Sequence, residues 1–106
     1  MIDTSIIITC YNGEQFITRA IQSVLAQTYP SDRYELIIVD DGSSDRSVDI
    51  AKLFVKDKNE KNIDVKIIEK ENGGTASARN AGVKAASGEY IGFLDVDDSY
   101  LPEKTS

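Results

Sequence analysis

Two apolar runs without alternation limit what this chain can fold into: Ile6-Ile7-Ile8, inside the β-branched stretch from Thr4 to Cys10, and Leu36-Ile37-Ile38-Val39. A strand with one wet face alternates apolar and polar side chains. A run with no alternation is buried on both faces, which is the situation of an inner strand in a parallel sheet covered by helices. Ile17, Ala20, Ile21, Val24 and Leu25 lie between the two runs at helical spacing on one face. Strand, helix, strand in that order is a βαβ unit, and βαβ units build parallel sheets.

The remainder continues the alternation. Asn12 is expected to cap the first helix, with Gln15 three residues on completing a capping box, and Tyr29-Pro30 ends that helix. Gly42-Ser43-Ser44 turns the chain into a second helix from about Asp45 to Val55, with Asp45 in its first turn, where the helix dipole favours an acid. A polar connection from Lys56 to Asn62 leads to a third strand, Ile63 to Ile68. Its alternation of Ile63, Val65 and Ile67 with Asp64 and Lys66 suits a sheet edge. Asn72-Gly73-Gly74 is a turn before a helix of small residues, Thr75 to Ala86. Gly82 there suggests a close approach, to the sheet or to a ligand, and Gly88 a C-terminal cap. Tyr90 to Leu94 is the fourth strand. The expectation is one α/β domain over residues 1–106: a three-layer, Rossmann-like, open and mainly parallel sheet of four strands with βαβ crossovers.

Composition narrows the function. The 106 residues carry a net charge of −6, which argues against nucleic acid as a partner. There is no histidine, which removes His-based acid/base chemistry and most zinc sites. The single cysteine, Cys10, has no partner for a disulfide and no histidine to activate it, so it reads as a small buried residue. No apolar stretch is long enough to span a bilayer. A reducing, cytoplasmic compartment is the expectation.

Five carboxylates follow two of the strands: Asp40 and Asp41 after Val39, and Asp95, Asp97 and Asp98 after Leu94. Strand ends on one edge of an open α/β sheet form its ligand crevice. Like charges crowded there repel unless a cation or a hydrogen-bonding ligand sits between them. Oxygen ligands select hard cations, and magnesium usually keeps waters and is completed by substrate phosphates. Asp95-Val96-Asp97-Asp98 is thus a sensible half-site for a metal–diphosphate complex. Asp40-Asp41-Gly42-Ser43 offers acceptors for a base or ribose, although Asp-Gly is also a strong turn pair. In Asn72-Gly73-Gly74 the glycines allow close backbone approach, and Arg79 is a cation in an otherwise small, apolar helix.

Taken together, these segments resemble the nucleotide-binding half of glycosyltransferase family 2, which has the GT-A fold. The carriers are Ser5 to Asn12, Ser23 to Tyr29, Ile38 to Asp45, Asn72-Gly73-Gly74 with Ala78-Arg79-Asn80, and Gly88 to Asp98. The resemblance covers nearly the whole chain. It implies a metal-dependent, inverting transfer of a sugar from a nucleoside-diphosphate sugar, most often a UDP-sugar, to a glycan or lipid acceptor. It implies that Asp41 holds the base, that Thr9, Tyr11 and Asn12 line the base and ribose pocket, and that Asp95 contacts ribose or metal-bound waters. Asp97 would be the direct ligand of Mg2+ or Mn2+, and Arg79 would lie near the donor. It also implies polysaccharide synthesis at the cytosolic face of the membrane.

Family members carry an acceptor-binding half beyond this region, with the catalytic base in it. The chain ends at Ser106, so the expectation is a truncated donor-binding part that binds without turnover. Its fourth strand would then have an open edge that favours self-association. Two rivals share single features. Phe93 to Ser99 looks like the first motif of haloacid-dehalogenase-type phosphatases, but almost nothing follows it. Receiver domains also place an acidic pair after a parallel strand, but need a later strand-end lysine that is not in place here. A dinucleotide-binding fingerprint is missing from Cys10 to Glu14.

Overall fold

The computed structural model describes residues 2–26, 33–60 and 62–96. Its elements are β1 (Thr4–Cys10), α1 (Ile17–Leu25), β2 (Tyr34–Asp41), α2 (Ser47–Lys58), β3 (Asp64–Lys70), α3 (Thr75–Ala85) and β4 (Tyr90–Asp95). The sheet order is β3-β2-β1-β4, and all three pairings are parallel. The two unbroken apolar runs are the two inner strands, and the alternating run is an edge strand, as their patterns require.

Strand periodicity divides the core into two layers. Ile6, Ile8, Leu36 and Ile38 pack with Ile17, Ala20, Ile21 and Val24 of α1 and Ala51 of α2. Ile7, Ile37 and Val39 face the other way, onto Ala78 of α3 with Ala81 and Ala85 beside it. Each fully buried isoleucine side chain contributes about 1.5–3 kcal/mol. The small residues of α3 are what let it lie close: a Cβ on Gly82 would stand 2.6 Å from Ile7 Cγ2. The expected three-layer α/β architecture is therefore present.

Because α1 and α3 cover opposite faces, the chain reverses direction between β1 and β4. The carboxyl ends of those strands flank the topological switch point, where open α/β sheets take their ligands. The opposite edge is closed by a buried carboxylate. Glu35 accepts from Ser5 Oγ at 2.6 Å and from the Ser87 N–H at 2.6 Å, with Lys66 Nζ 3.1 Å away. Burial pushes this carboxyl up, but those donors and the Lys66 charge outweigh it and hold it below the usual carboxylate range. Lys66 also donates to the Ala85 carbonyl at 3.1 Å, tying the end of α3 to β3.

Several local expectations are corrected. Asn12 does not cap α1. The helix begins at Ile17, and Asn12 has φ 50, with its side chain turned to the β2–α2 loop. Asp45 precedes α2 rather than opening it, and accepts from the Ser47 N–H at 3.0 Å. That helix runs on to Lys58, shortening the expected connection. Gly88 is not a helix cap. It lies against β1, where a Cβ would meet the Ser5 backbone N at 2.7 Å, and its N–H donates to Ser5 Oγ. Tyr29-Pro30 lies outside the described residues.

Candidate nucleotide site at the switch point

Thr9 and Asp95 are register partners on β1 and β4, at the carboxyl ends of the strands. The Thr9 hydroxyl donates to Asp95 Oδ1 at 2.8 Å. Arg79, from α3, brings Nη2 to 3.7 Å from the same oxygen and lays its guanidinium over the Phe93 ring, 5.3 Å from the centroid. The Asp95 side chain is about half exposed, and its Oδ2 has no hydrogen bond among the described residues.

A cavity of about 270 Å³ opens here. Thr9, Tyr11, Asn12, Asp41 and Asp95 all line it, with the N-terminal residue of α3, Thr75. Five of the residues expected at a nucleotide site are thus brought to one place. Arg79 does not line the cavity and reaches it through Asp95. Asp97 lies outside the described residues, as does Asp98. Sequence reasoning missed Phe16, which lines the cavity with 38% exposure; an aromatic just before a helix, with no core position to fill, was the available signal.

The two acids at the end of β2 part company, because neighbours on a strand face opposite sides. Asp41 turns to the β3–α3 loop. Its Oδ1 accepts from Lys70 Nζ at 3.0 Å and the Gly73 N–H at 2.9 Å. Its Oδ2 accepts from the Gly74 N–H at 3.0 Å and Asn72 Nδ2 at 3.3 Å. Burial raises this carboxyl's pKa, but the Gly73, Lys70 and Gly74 donors and the Lys70 charge outweigh it, and the carboxyl sits below its ordinary range. The Gly73 and Gly74 amides therefore point at Asp41 rather than into the cavity. Gly42 makes the turn possible: its φ is 78, and a Cβ would stand 2.7 Å from the Asn72 backbone N.

Asp40 is buried on the other face. Its Oδ2 accepts from the Ser43 N–H at 3.0 Å, and its Oδ1 has no partner among the described residues. Among the described residues the expected crowding of like charges is relieved for Asp41, which has Lys70, and for Asp95, which has Arg79, but not for Asp40. Cys10 is buried, and burial, helped by the nearby Asp40 charge, pushes its thiol up against the pull of nearby hydrogen bonds, which disfavours the thiolate.

A divalent cation fits this edge in part. Among the described residues no group of three or more His, Cys, Asp or Glu surrounds a metal position. What they supply is one half-exposed carboxylate, Asp95, with a free oxygen. That suits an ion held largely by water and phosphate, as magnesium commonly is, rather than a protein cage.

Residues 5–106 match the family Glycosyl transferase family 2. The chain is 49% identical over 94 residues to the uncharacterised glycosyltransferase EpsJ of Bacillus subtilis, covering 89% of this chain and 26% of EpsJ. It is 35% identical over 105 residues to the poly(ribitol-phosphate) beta-N-acetylglucosaminyltransferase TarS of Staphylococcus aureus, covering 99% of this chain and 18% of TarS. The chain therefore spans about a quarter or less of the length of these relatives. Crystal structures of TarS with UDP and with UDP-GlcNAc superpose with TM-scores of 0.82 and 0.80 at 31% and 32% identity, over 92% of this chain and 28% and 27% of those. The mannosyltransferase PcManGT of Pyrobaculum calidifontis, solved with GDP-Man and Mn2+, shares the fold with a TM-score of 0.86 at 24% identity, over 92% of this chain and 28% of that one. These matches leave no place for the phosphatase or receiver readings. The chain belongs to glycosyl transferase family 2.

Proposed function

We propose that this chain is the donor-binding part of a glycosyltransferase that moves a sugar from a UDP-sugar to a glycan or lipid acceptor, with inversion at the anomeric carbon. The observation that carries this is the convergence of Thr9, Tyr11, Asn12, Asp41 and Asp95 on one cavity at the switch point. TarS, similar over nearly the whole chain, binds UDP and UDP-GlcNAc, which supports uracil as the base and a hexose-type sugar.

Tyr11 and Asn12 offer a stacking face and a polar edge to the base. Asp41 accepts a base N–H in place of its longest bond, the 3.3 Å contact from Asn72, since a carboxylate has about four acceptor sites and all are in use. Asp95 accepts from a ribose hydroxyl or from metal-bound water through Oδ2, which has no partner among the described residues. Asp97 holds Mg2+ or Mn2+. The bound ion supplies charge neutralisation of the nucleoside-diphosphate leaving group. Arg79, beside Asp95, lies near the donor. The catalytic base belongs to an acceptor-binding part, so these residues bind donor without turnover. The work is done at the cytosolic face of a membrane, in surface-polysaccharide synthesis. The edge strand β4, with Tyr90, Ile91 and Phe93 exposed, is a self-association edge.

Thermal unfolding with UDP, GDP and dTDP, each with Mn2+, tests the reading. A ligand bound only by the folded state at a hundred times its Kd stabilises by about 2.7 kcal/mol. The expected result is a rise in Tm with UDP exceeding that with GDP or dTDP. No rise with any of the three sinks the proposal.

A further inference from the structure

The β1–α1 loop is stitched to the β2–α2 loop and the first residue of α2, mostly by side chains that do not line the cavity: Ser43, Asp45 and Ser47. Three successive backbone donors of the first loop all go to these side chains. The Asn12 N–H donates to Ser43 Oγ at 2.8 Å, the Gly13 N–H to Ser47 Oγ at 3.0 Å, and the Glu14 N–H to Asp45 Oδ2 at 3.1 Å. The Ser44 N–H answers by donating to Asn12 Oδ1 at 2.8 Å. Asn12 sits at φ 50, a left-handed conformation uncommon for L-residues that Asn adopts more readily than most.

Asp45 is the hub of this brace. Its Oδ1 accepts from the Ser47 hydroxyl at 2.5 Å and from the Ser47 N–H at 3.0 Å. A hydroxyl has one hydrogen. Giving it to Asp45 leaves Ser47 Oγ with lone pairs only for the Gly13 N–H, so the acid fixes the hydroxyl as an acceptor. Burial raises the Asp45 pKa, and the Ser47 and Glu14 donors more than offset it, keeping the carboxylate charged at neutral pH. Tyr11, Asn12 and Gly13, the residues being held, form a wall of the cavity, whereas Asp45 and Ser47 do not touch it.

We propose that Asp45, acting through Ser47, is a positioning residue that sets nucleotide affinity by holding the backbone of residues 12–14, without contacting the nucleotide. The proposal rests on the donor-binding reading above. Losing the hub frees one wall of the site, and binding must then re-order it.

The test pairs two measurements on the wild type, Asp45→Ala and Asp45→Asn: amide hydrogen exchange at Asn12, Gly13 and Glu14 without ligand, and calorimetric titration with UDP and Mn2+. Asp45→Ala is expected to speed exchange at those three amides by about tenfold or more, and to weaken UDP binding by about tenfold, the effect of one charge-assisted hydrogen bond. Asp45→Asn keeps an acceptor for Ser47 but presents an NH2 to the Glu14 N–H, so it should fall between Asp45→Ala and the wild type in both readouts. It also serves as the test if Asp45→Ala does not fold. Unchanged exchange at residues 12–14 overturns the brace. Faster exchange with unchanged UDP affinity overturns the positioning role. A wild type that binds no nucleoside diphosphate contradicts the donor reading instead, and the brace is then decided by exchange alone.

Discussion

Removing the Asp41 carboxylate should cost the protein stability before it costs it anything else. Four donors converge on a side chain only 7% exposed: Lys70, Asn72 and the backbone N–H groups of Gly73 and Gly74. Hydrogen bonds to a charged group are worth about 1.5–3 kcal/mol each. Their sum is not the expected loss, because Gly73, Gly74 and the partly exposed Lys70 recover water once the acid is gone. Removing one partner of a fully buried ion pair costs about 3–5 kcal/mol, which sets the ceiling. Asp41→Ala should therefore lose about 2–4 kcal/mol, and Asp41→Asn, with one carbonyl acceptor left, about half of that. At about 4 °C per kcal/mol for a chain of this size, the alanine variant melts about 8–16 °C lower. Urea unfolding with an unchanged m-value is the assay. The pH dependence supplies a second sign. The folded Asp41 carboxyl sits below its ordinary value, so its contribution is fully present above the unfolded pKa of about 3.9 and is lost as pH falls through the folded one. The wild type should lose stability over that acid range, and Asp41→Asn should lose less. An alanine variant within about 0.5 kcal/mol of the wild type, the range of an ordinary surface change, would refute the reasoning.

Other expectations concern separate parts of the molecule. Glu35→Ala leaves Ser5, Ser87 and Lys66 facing an empty buried site and should destabilise by about 3 kcal/mol, read by urea unfolding, with UDP affinity unchanged because the cluster lies on the far edge of the sheet. Gly82→Ala improves helix propensity yet drives a methyl to 2.6 Å from Ile7 Cγ2, so the net change should be a loss of about 1–3 kcal/mol; a gain in Tm would show that α3 lifts away freely. If the proposed β4 contact forms, the wild type should self-associate with concentration in sedimentation velocity and Phe93→Lys should reduce this; a wild type that stays monomeric, or an unchanged profile in the variant, would remove that edge as the contact.

The fold was legible because its signals are local. The β-branched runs at Ile6-Ile7-Ile8 and Leu36 to Val39 say "buried on both faces" without help from elsewhere. The alternation of Ile63, Val65 and Ile67 marks an edge in the same way. The misread positions have partners far along the chain. Asn12 looks like a helix cap by its neighbours, and becomes a left-handed loop residue because Ser43 and Ser44 offer it better bonds. Gly88 looks like a helix terminator, and is glycine because Ser5 passes against it. Asp41 is not misread, since it does line the cavity; what its place after a strand does not reveal is that the loop from Lys70 to Gly74, some thirty residues later, also engages it. Glu35 carries a usable signal of its own, because a charge beside an apolar run buried on both faces must find partners.

The central claim is that the cavity between β1 and β4 takes a nucleoside diphosphate with a divalent cation. Calorimetric titration of the protein with UDP, with and without Mn2+, for the wild type and Asp97→Ala, tests it most directly. The account predicts saturable binding that depends on the metal and disappears in a folded Asp97→Ala. Equal binding with and without Mn2+, or no binding of UDP by a folded wild type, would contradict it.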